Sequence, residues 1–143
     1  MAHMIAVWNV KGLQDKVKRC QVKEVLAKYD CAILQETHGH IDTCDGWTKD
    51  LGFLSGTWDN LRSNAAGSAI LSKTDQTSLR GHNGRIAIAK TMIGERNTLV
   101  ISVYAPNLDK SSKKQEEFSQ FLTSLEYLID THRKQNRLVG RMR

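Results

Sequence analysis

Cysteine is scarce and badly spaced for any shared role. Cys20, Cys31 and Cys44 are odd in number and form no Cys-x-x-Cys pair. This excludes a disulfide scaffold and the spacing of a structural zinc site. Cys31 falls in an apolar run and Cys20 in a helical stretch, so both read as small core residues. The compartment reads as intracellular and reducing. Long apolar runs are missing as well. None approaches a membrane span, so no membrane partner is expected. No leader peptide is visible, and the opening Met1-Ala2-His3-Met4 reads as a cloning remnant outside the fold. Internal repeats and low-complexity stretches are absent too, which excludes solenoids and linkers.

What is present is enough for one folded domain. The chain has 143 residues, of which 40% are hydrophobic, and a formal net charge of +6. That size suits a single core. The basic balance favours a polyanionic partner such as nucleic acid, although an ordinary soluble surface carries similar charge.

The hydrophobic pattern alternates between strands and helices. Residues 5–10 read as a buried strand. Leu13 to Tyr29 reads as an amphipathic helix whose stripe is Val22, Val25, Leu26 and Tyr29. Cys31–Gln35 reads as a second strand, parallel to the first. Residues 39–66 suggest short strands around Gly46-Trp47 and Gly56-Thr57-Trp58, then a polar loop. Ser68–Ser72, Ile86–Lys90 and Thr98–Tyr104 read as further strands. The short turns Gly81-His82-Asn83-Gly84 and Gly94-Glu95-Arg96-Asn97 imply antiparallel neighbours. Gln115 to His132 reads as a second helix with Phe118, Phe121, Leu122, Leu125 and Ile129 on its apolar side. Gln135 to Arg143 reads as a last strand or a frayed tail.

Three of these strands end in residues that can do chemistry. Ala32-Ile33-Leu34-Gln35 runs into Glu36, a hard oxygen ligand suited to Mg²⁺. Val100-Ile101-Ser102-Val103 runs into Tyr104, a phenolic donor. Ile5-Ala6-Val7-Trp8 runs into Asn9. Each also has a plainer reading. Glu36 is then a solvated carboxylate, Tyr104 a half-buried strand tyrosine, and Asn9 a cap for the helix that follows.

Four segments follow one another in a telling order. They are Trp8-Asn9-Val10-Lys11-Gly12-Leu13, Gln35-Glu36-Thr37-His38, Gly67-Ser68-Ala69-Ile70-Leu71 and Tyr104-Ala105-Pro106-Asn107. Together they resemble the successive motifs of the exonuclease-endonuclease-phosphatase family. The nearest likeness is to the apurinic-type endonuclease domain of non-LTR retrotransposons, over about residues 4 to 140. The resemblance implies Mg²⁺-dependent DNA cleavage with target-strand nicking in retrotransposition, and a nuclear setting. It implies Glu36 as metal ligand, with weak binding from a single carboxylate. Asn9 would hold the attacking water or a phosphate oxygen. Tyr104 would donate to the scissile phosphate, and Asn107 would orient the site. Lys11 departs from the family pattern, where Asp or Asn is common, and would touch a phosphate instead. His38 and Arg85 are further nucleic-acid candidates, with Gln35 and Arg62 behind them. A solvated charge is the simpler reading of both arginines.

The implied fold is α/β: a partial four-layer αββα sandwich, DNase I-like, with mostly antiparallel strands and two flanking helices. Residues 5–143 would form its N-terminal portion. Relatives continue into Gly-Asp-Phe-Asn, a later Asp and Ser-Asp-His segments. Here Arg141 and Arg143 stand where the first Asp and Asn are expected. The expectations are therefore weak or absent catalysis by these residues alone, a bare apolar sheet face, and completion by a homodimer or a complementing C-terminal half. The alternative is a non-catalytic nucleic-acid-binding or protein-interaction module.

Overall fold

The computed structural model describes residues 3–106 and 111–141 and divides into two units, 1–104 and 105–143. Unit one is built from β1 (Ile5–Asn9), α1 (Lys16–Leu26), β2 (Cys31–Gln35), a 3-10 turn (Cys44–Gly46), α2 (Trp47–Asp50), β3 (Ser55–Asp59), β4 (Ser68–Ser72), β5 (Gln76–His82), β6 (Ile86–Ile93) and β7 (Arg96–Val103). Two sheets result. One has the order β1-β2-β4-β3 and the other β5-β6-β7. Among the described residues only the β1–β2 pair is parallel, with Asn9 opposite Gln35. All other pairs are antiparallel.

Period-two alternation explains why the sheets stack. Ala32 and Leu34 of β2 and Ala69 and Leu71 of β4 join Leu13, Val22 and Leu26 in a core beneath α1. Their alternate neighbours Cys31, Ile33 and Ile70 meet Ala87, Ala89 and Val100 of the second sheet. Polar links close the same seam. Thr57 donates through Oγ1 to Gln76 Oε1 at 2.6 Å.

Several readings change. β1 is an edge strand, and Val7 is 70% exposed. In α1 only Val22 and Leu26 are buried, while Val25 and Cys20 face outward. Cys20 is therefore not a core residue. Cys31 and Cys44 are buried, and burial raises both thiols, Cys44 to about 11. β5 is a strand that hydrophobic pattern alone does not reveal, being a polar edge. The expected bare sheet face is not found at β6, whose Ile86 and Ile88 are fully buried along with Ala87 and Ala89. Exposed apolar side chains lie at strand edges instead, as with Ile5 and Val103.

Helix α1 starts where its chemistry dictates. Asp15 accepts from the Val17 amide at 2.9 Å and so caps the helix. Asn9 does not. Asp15→Ala is expected to cost about 1 kcal/mol, read as a lowered urea midpoint. An unchanged midpoint would contradict this cap.

Unit two is α3 (Ser112–Arg141). Phe118 and Phe121 lie on one side with ring centroids 6.4 Å apart. Leu122, expected in the same stripe, is 48% exposed. The segment read as a last strand or tail continues this helix to Arg141. Its Arg, Gln and Leu residues are good helix formers, and Leu138-Val139 is too short to nucleate a strand. The Arg141 side chain, Arg143 and Asn107 lie outside the described residues. Among the described residues no helix is long and apolar enough to cross a membrane.

Candidate active site

The parallel return of β2 beside β1 brings their C-terminal ends together, so Asn9 and the Gln35–Glu36 step share one rim. The second sheet delivers Tyr104 to the same place. Ser102 Oγ donates to the Leu34 carbonyl at 3.2 Å, and Gln35 Nε2 donates to Ser102 Oγ at 3.4 Å. These links tie β7 to β2 just before both chains leave their sheets. Gln35 is thus buried and structural rather than part of the mouth.

Two residues further on, the side chains meet. The Tyr104 hydroxyl donates to Glu36 Oε1 at 3.1 Å. His38 Nε2 lies 3.9 Å from the same oxygen. The Arg85 guanidinium stacks over the Tyr104 ring at 5.1 Å and donates to the Tyr104 carbonyl at 3.3 Å. The simpler reading of Arg85 as a solvated charge therefore gives way to a cation–π contact beside the site. Burial raises the Tyr104 pKa first, then the Glu36 hydrogen bond and charge, with Arg85 opposing.

The backbone here is strained. Glu36 and His38 have φ of 53° and 56°, and Lys11 has 53°. Such conformations cost roughly 1–3 kcal/mol each for a residue with a side chain and cluster at functional sites. They persist because the main chain is clamped from both sides. The Gly12 and Leu13 amides donate to the carbonyls of Glu36 and Thr37 at 2.6 and 3.0 Å. The Thr37 and His38 amides donate to Gly67 and Ala66 at 3.2 and 2.9 Å. Gln14 Nε2 holds the His38 carbonyl at 2.9 Å. Gly67 is required for this approach, since a Cβ there would sit 2.2 Å from Thr37 Oγ1.

Asn9 and Lys11 occupy the adjoining turn. Asn9 Oδ1 accepts from the Lys11 amide at 3.1 Å, and both residues are exposed at the rim. Lys18 Nζ holds the carbonyls of Val10 and Lys11 from below. Arg62 is not brought in: it is 81% exposed and pairs with Asp42 at 3.7 Å.

Sequence reasoning missed Asp59 and Asn60, at the end of β3. Asp59 accepts from the His82 amide at 3.1 Å and braces the turn that carries Arg85. Burial raises its pKa above 3.8, against the lowering effect of the Gly84, His82 and Ile86 amides. A raised carboxyl pKa stabilises the fold most below its unfolded value, and that stability is lost as pH rises through the folded value. Asp59→Asn keeps an acceptor for His82. Urea midpoints of wild type relative to this variant are therefore expected to fall as pH rises from 3.8 upward. Parallel pH curves for the two proteins would contradict this.

The donor set limits what metal the mouth can hold. Among the described residues no three His, Cys, Asp or Glu side chains converge. One carboxylate beside a phenol and an imidazole fits Mg²⁺, which keeps most of its waters and takes few protein ligands. A separate open cleft of about 650 Å³, lined in part by Thr48, Leu54, Thr57 and Trp58, includes none of these residues.

With this geometry established, solved structures resemble the chain over most of its length. A 3' phosphatase, NExo, from Neisseria bound to product DNA hairpin superposes with a TM-score of 0.74 at 23% identity, covering 93% of this chain and 53% of its own. The chain has the DNase I-like fold. An AP endonuclease from Archaeoglobus fulgidus gives 0.70 at 22% identity, covering 88% and 50%. The Xenopus laevis APE2 catalytic domain gives 0.61 at 19%, covering 85% and 51%. The chain thus spans about half the length of these structures. It matches no protein-family model and no curated protein.

Proposed function

We propose that the chain carries part of the active site of a Mg²⁺-dependent enzyme that hydrolyses phosphodiester bonds in DNA. The observation that carries this reading is the 3.1 Å contact between the Tyr104 hydroxyl and the Glu36 carboxylate, made where the two sheets converge. A fold shared with an AP endonuclease and with a phosphatase bound to DNA supports it.

Glu36 is the residue that would hold the metal. A bound Mg²⁺ would supply Lewis-acid stabilisation of charge on the phosphoryl and leaving oxygens. Tyr104 turns its hydroxyl from Glu36 to a phosphate oxygen when DNA enters. Its raised pKa keeps the phenol protonated and therefore a donor at neutral pH. Arg85 adds positive charge beside the tyrosine and draws the phosphate inward. Asn9 and Lys11, on the exposed rim, orient water and contact the DNA backbone. His38 stands 3.9 Å from the Glu36 carboxylate, placed to contact the DNA backbone.

The order of the four motifs favours target-strand nicking in retrotransposition, in the nucleus, as the setting. Among the described residues Glu36 is the single carboxylate at the mouth, which makes the chain slow on its own. A complementing C-terminal half or a second copy would raise the rate.

The test is nicking of supercoiled plasmid at high protein concentration in Mg²⁺, with EDTA and Glu36→Ala as controls. Slow nicking lost in both controls is the expected result. Nicking that survives Glu36→Ala would overturn the reading. DNA binding without any nicking would favour a binding module, the alternative suggested by the net charge of +6. In that case affinity falls steeply with salt. A stoichiometric protein complex insensitive to salt would favour an interaction module.

A further inference from the structure

We infer that Asn60 and Thr37 are positioning residues that set Glu36 at the mouth; this rests on the reading of Glu36 as the metal ligand. Asn60 is 4% exposed and Thr37 is fully buried. Asn60 Nδ2 donates to Thr37 Oγ1 at 3.0 Å and to the Gly39 carbonyl at 2.8 Å. One buried amide therefore grips the chain on both sides of His38 and directly after Glu36. The Gly39 carbonyl can only accept, which fixes the amide with its NH₂ toward this segment.

The cost of keeping this amide points to its purpose. Asn60 Oδ1 has no hydrogen-bond partner among the described residues. A buried polar atom left unsatisfied destabilises a fold, and an apolar side chain of similar shape avoids that penalty. The donor half of the amide is what the site retains. Without it, Thr37 and Gly39 lose the side-chain hold made among the described residues. The main-chain bonds to Gly12, Leu13, Ala66 and Gly67 remain, but the segment bearing the left-handed Glu36 and His38 shifts more readily. The carboxylate then leaves its place beside Tyr104. Changing a residue that orients a metal ligand typically costs about 10–100-fold in metal affinity.

Substitutions at Thr37 separate the hydroxyl from bulk. Thr37→Val removes the acceptor at nearly constant volume, and Thr37→Ser keeps it. Asn60→Leu removes the donor. Thr57→Val serves as control, because Thr57 is also buried, at 5% exposure, but bonds to Gln76 and Ser78 in the seam between the sheets. Two readouts apply to the intact chain: amide hydrogen exchange at Thr37 and His38, and Mn²⁺ affinity from the electron paramagnetic resonance of the free ion.

Thr37→Val and Asn60→Leu are expected to speed exchange at those two amides and weaken Mn²⁺ binding about tenfold. Thr37→Ser should match wild type, and Thr57→Val should change neither readout while lowering stability. Wild-type Mn²⁺ affinity in Thr37→Val, with binding lost in Glu36→Gln, overturns the inference and leaves the Glu36 reading standing. Thr37→Ser as weak as Thr37→Val also overturns it. Wild-type affinity in Glu36→Gln overturns the Glu36 reading and the inference together.

Discussion

Glu36→Gln is expected to lower Mg²⁺-dependent nicking by on the order of 100-fold while leaving DNA affinity within about twofold. The amide is nearly isosteric and still offers Tyr104 an acceptor, so the 3.1 Å contact across the two sheets survives. What disappears is the negative charge, the one carboxylate that the described residues present to a metal at the mouth. On the proposed reading DNA affinity would come from phosphate contacts by Lys11 and Arg85, which the substitution does not touch. Rates from plasmid nicking, set beside binding measured by fluorescence anisotropy, separate the two quantities. A parallel loss of rate and affinity would mean that Glu36 acts through the fold rather than through a metal.

The second large effect concerns stability. Leu34→Ala is expected to cost about 2–5 kcal/mol, a substantial part of the roughly 5–15 kcal/mol that holds a typical domain together. Leu34 is fully buried among Leu13, Val22, Leu26 and Leu71. Its carbonyl keeps the Ser102 bond after substitution, so the loss is one of packing. Val25→Ala is the matching comparison. Val25 is 53% exposed, and its loss should stay within about 0.5 kcal/mol. Urea unfolding of the two variants decides the matter, and equal losses would contradict the placement of α1.

The same pair of residues shows how much of the fold was legible. Leu34 lies in a continuous apolar run, Ala32-Ile33-Leu34, that ends sharply in polar residues, so β2 could be read at once as a buried strand. Val25 sits at helical spacing with Val22 and Leu26 but falls just outside the buried arc. Periodicity defines a stripe, and packing decides its width. β5 was illegible because Gln76–His82 is a polar edge strand whose pairing with β6 supplies the order its sequence does not. The end of α3 was misread because a short apolar pair in a basic segment suits either a strand or a helix.

The site divides in the same way. Glu36, Tyr104 and Asn9 stand at strand ends, where a motif can be read without knowing which strands are neighbours. The contact of Tyr104 with Glu36 then follows from the Ser102 link across the sheets, and the parallel pairing of β1 with β2 puts Asn9 on the same rim. Arg85 was undervalued because its stack on Tyr104 depends on the β6–β7 register, which places Ile86 opposite Val103. Asp59 and Asn60 gave no local signal. Their importance comes from burial and from bonds to His82, Thr37 and Gly39, all distant in sequence.

The most direct measurement is paramagnetic broadening by Mn²⁺ across the amide spectrum of the chain, recorded with a DNA duplex whose backbone resists cleavage. A metal held by Glu36 predicts broadening centred on Glu36 and Thr37, reaching Tyr104 and Asn9, and abolished by Glu36→Gln. Broadening centred elsewhere, or unchanged in Glu36→Gln, would contradict a metal-dependent site at this mouth.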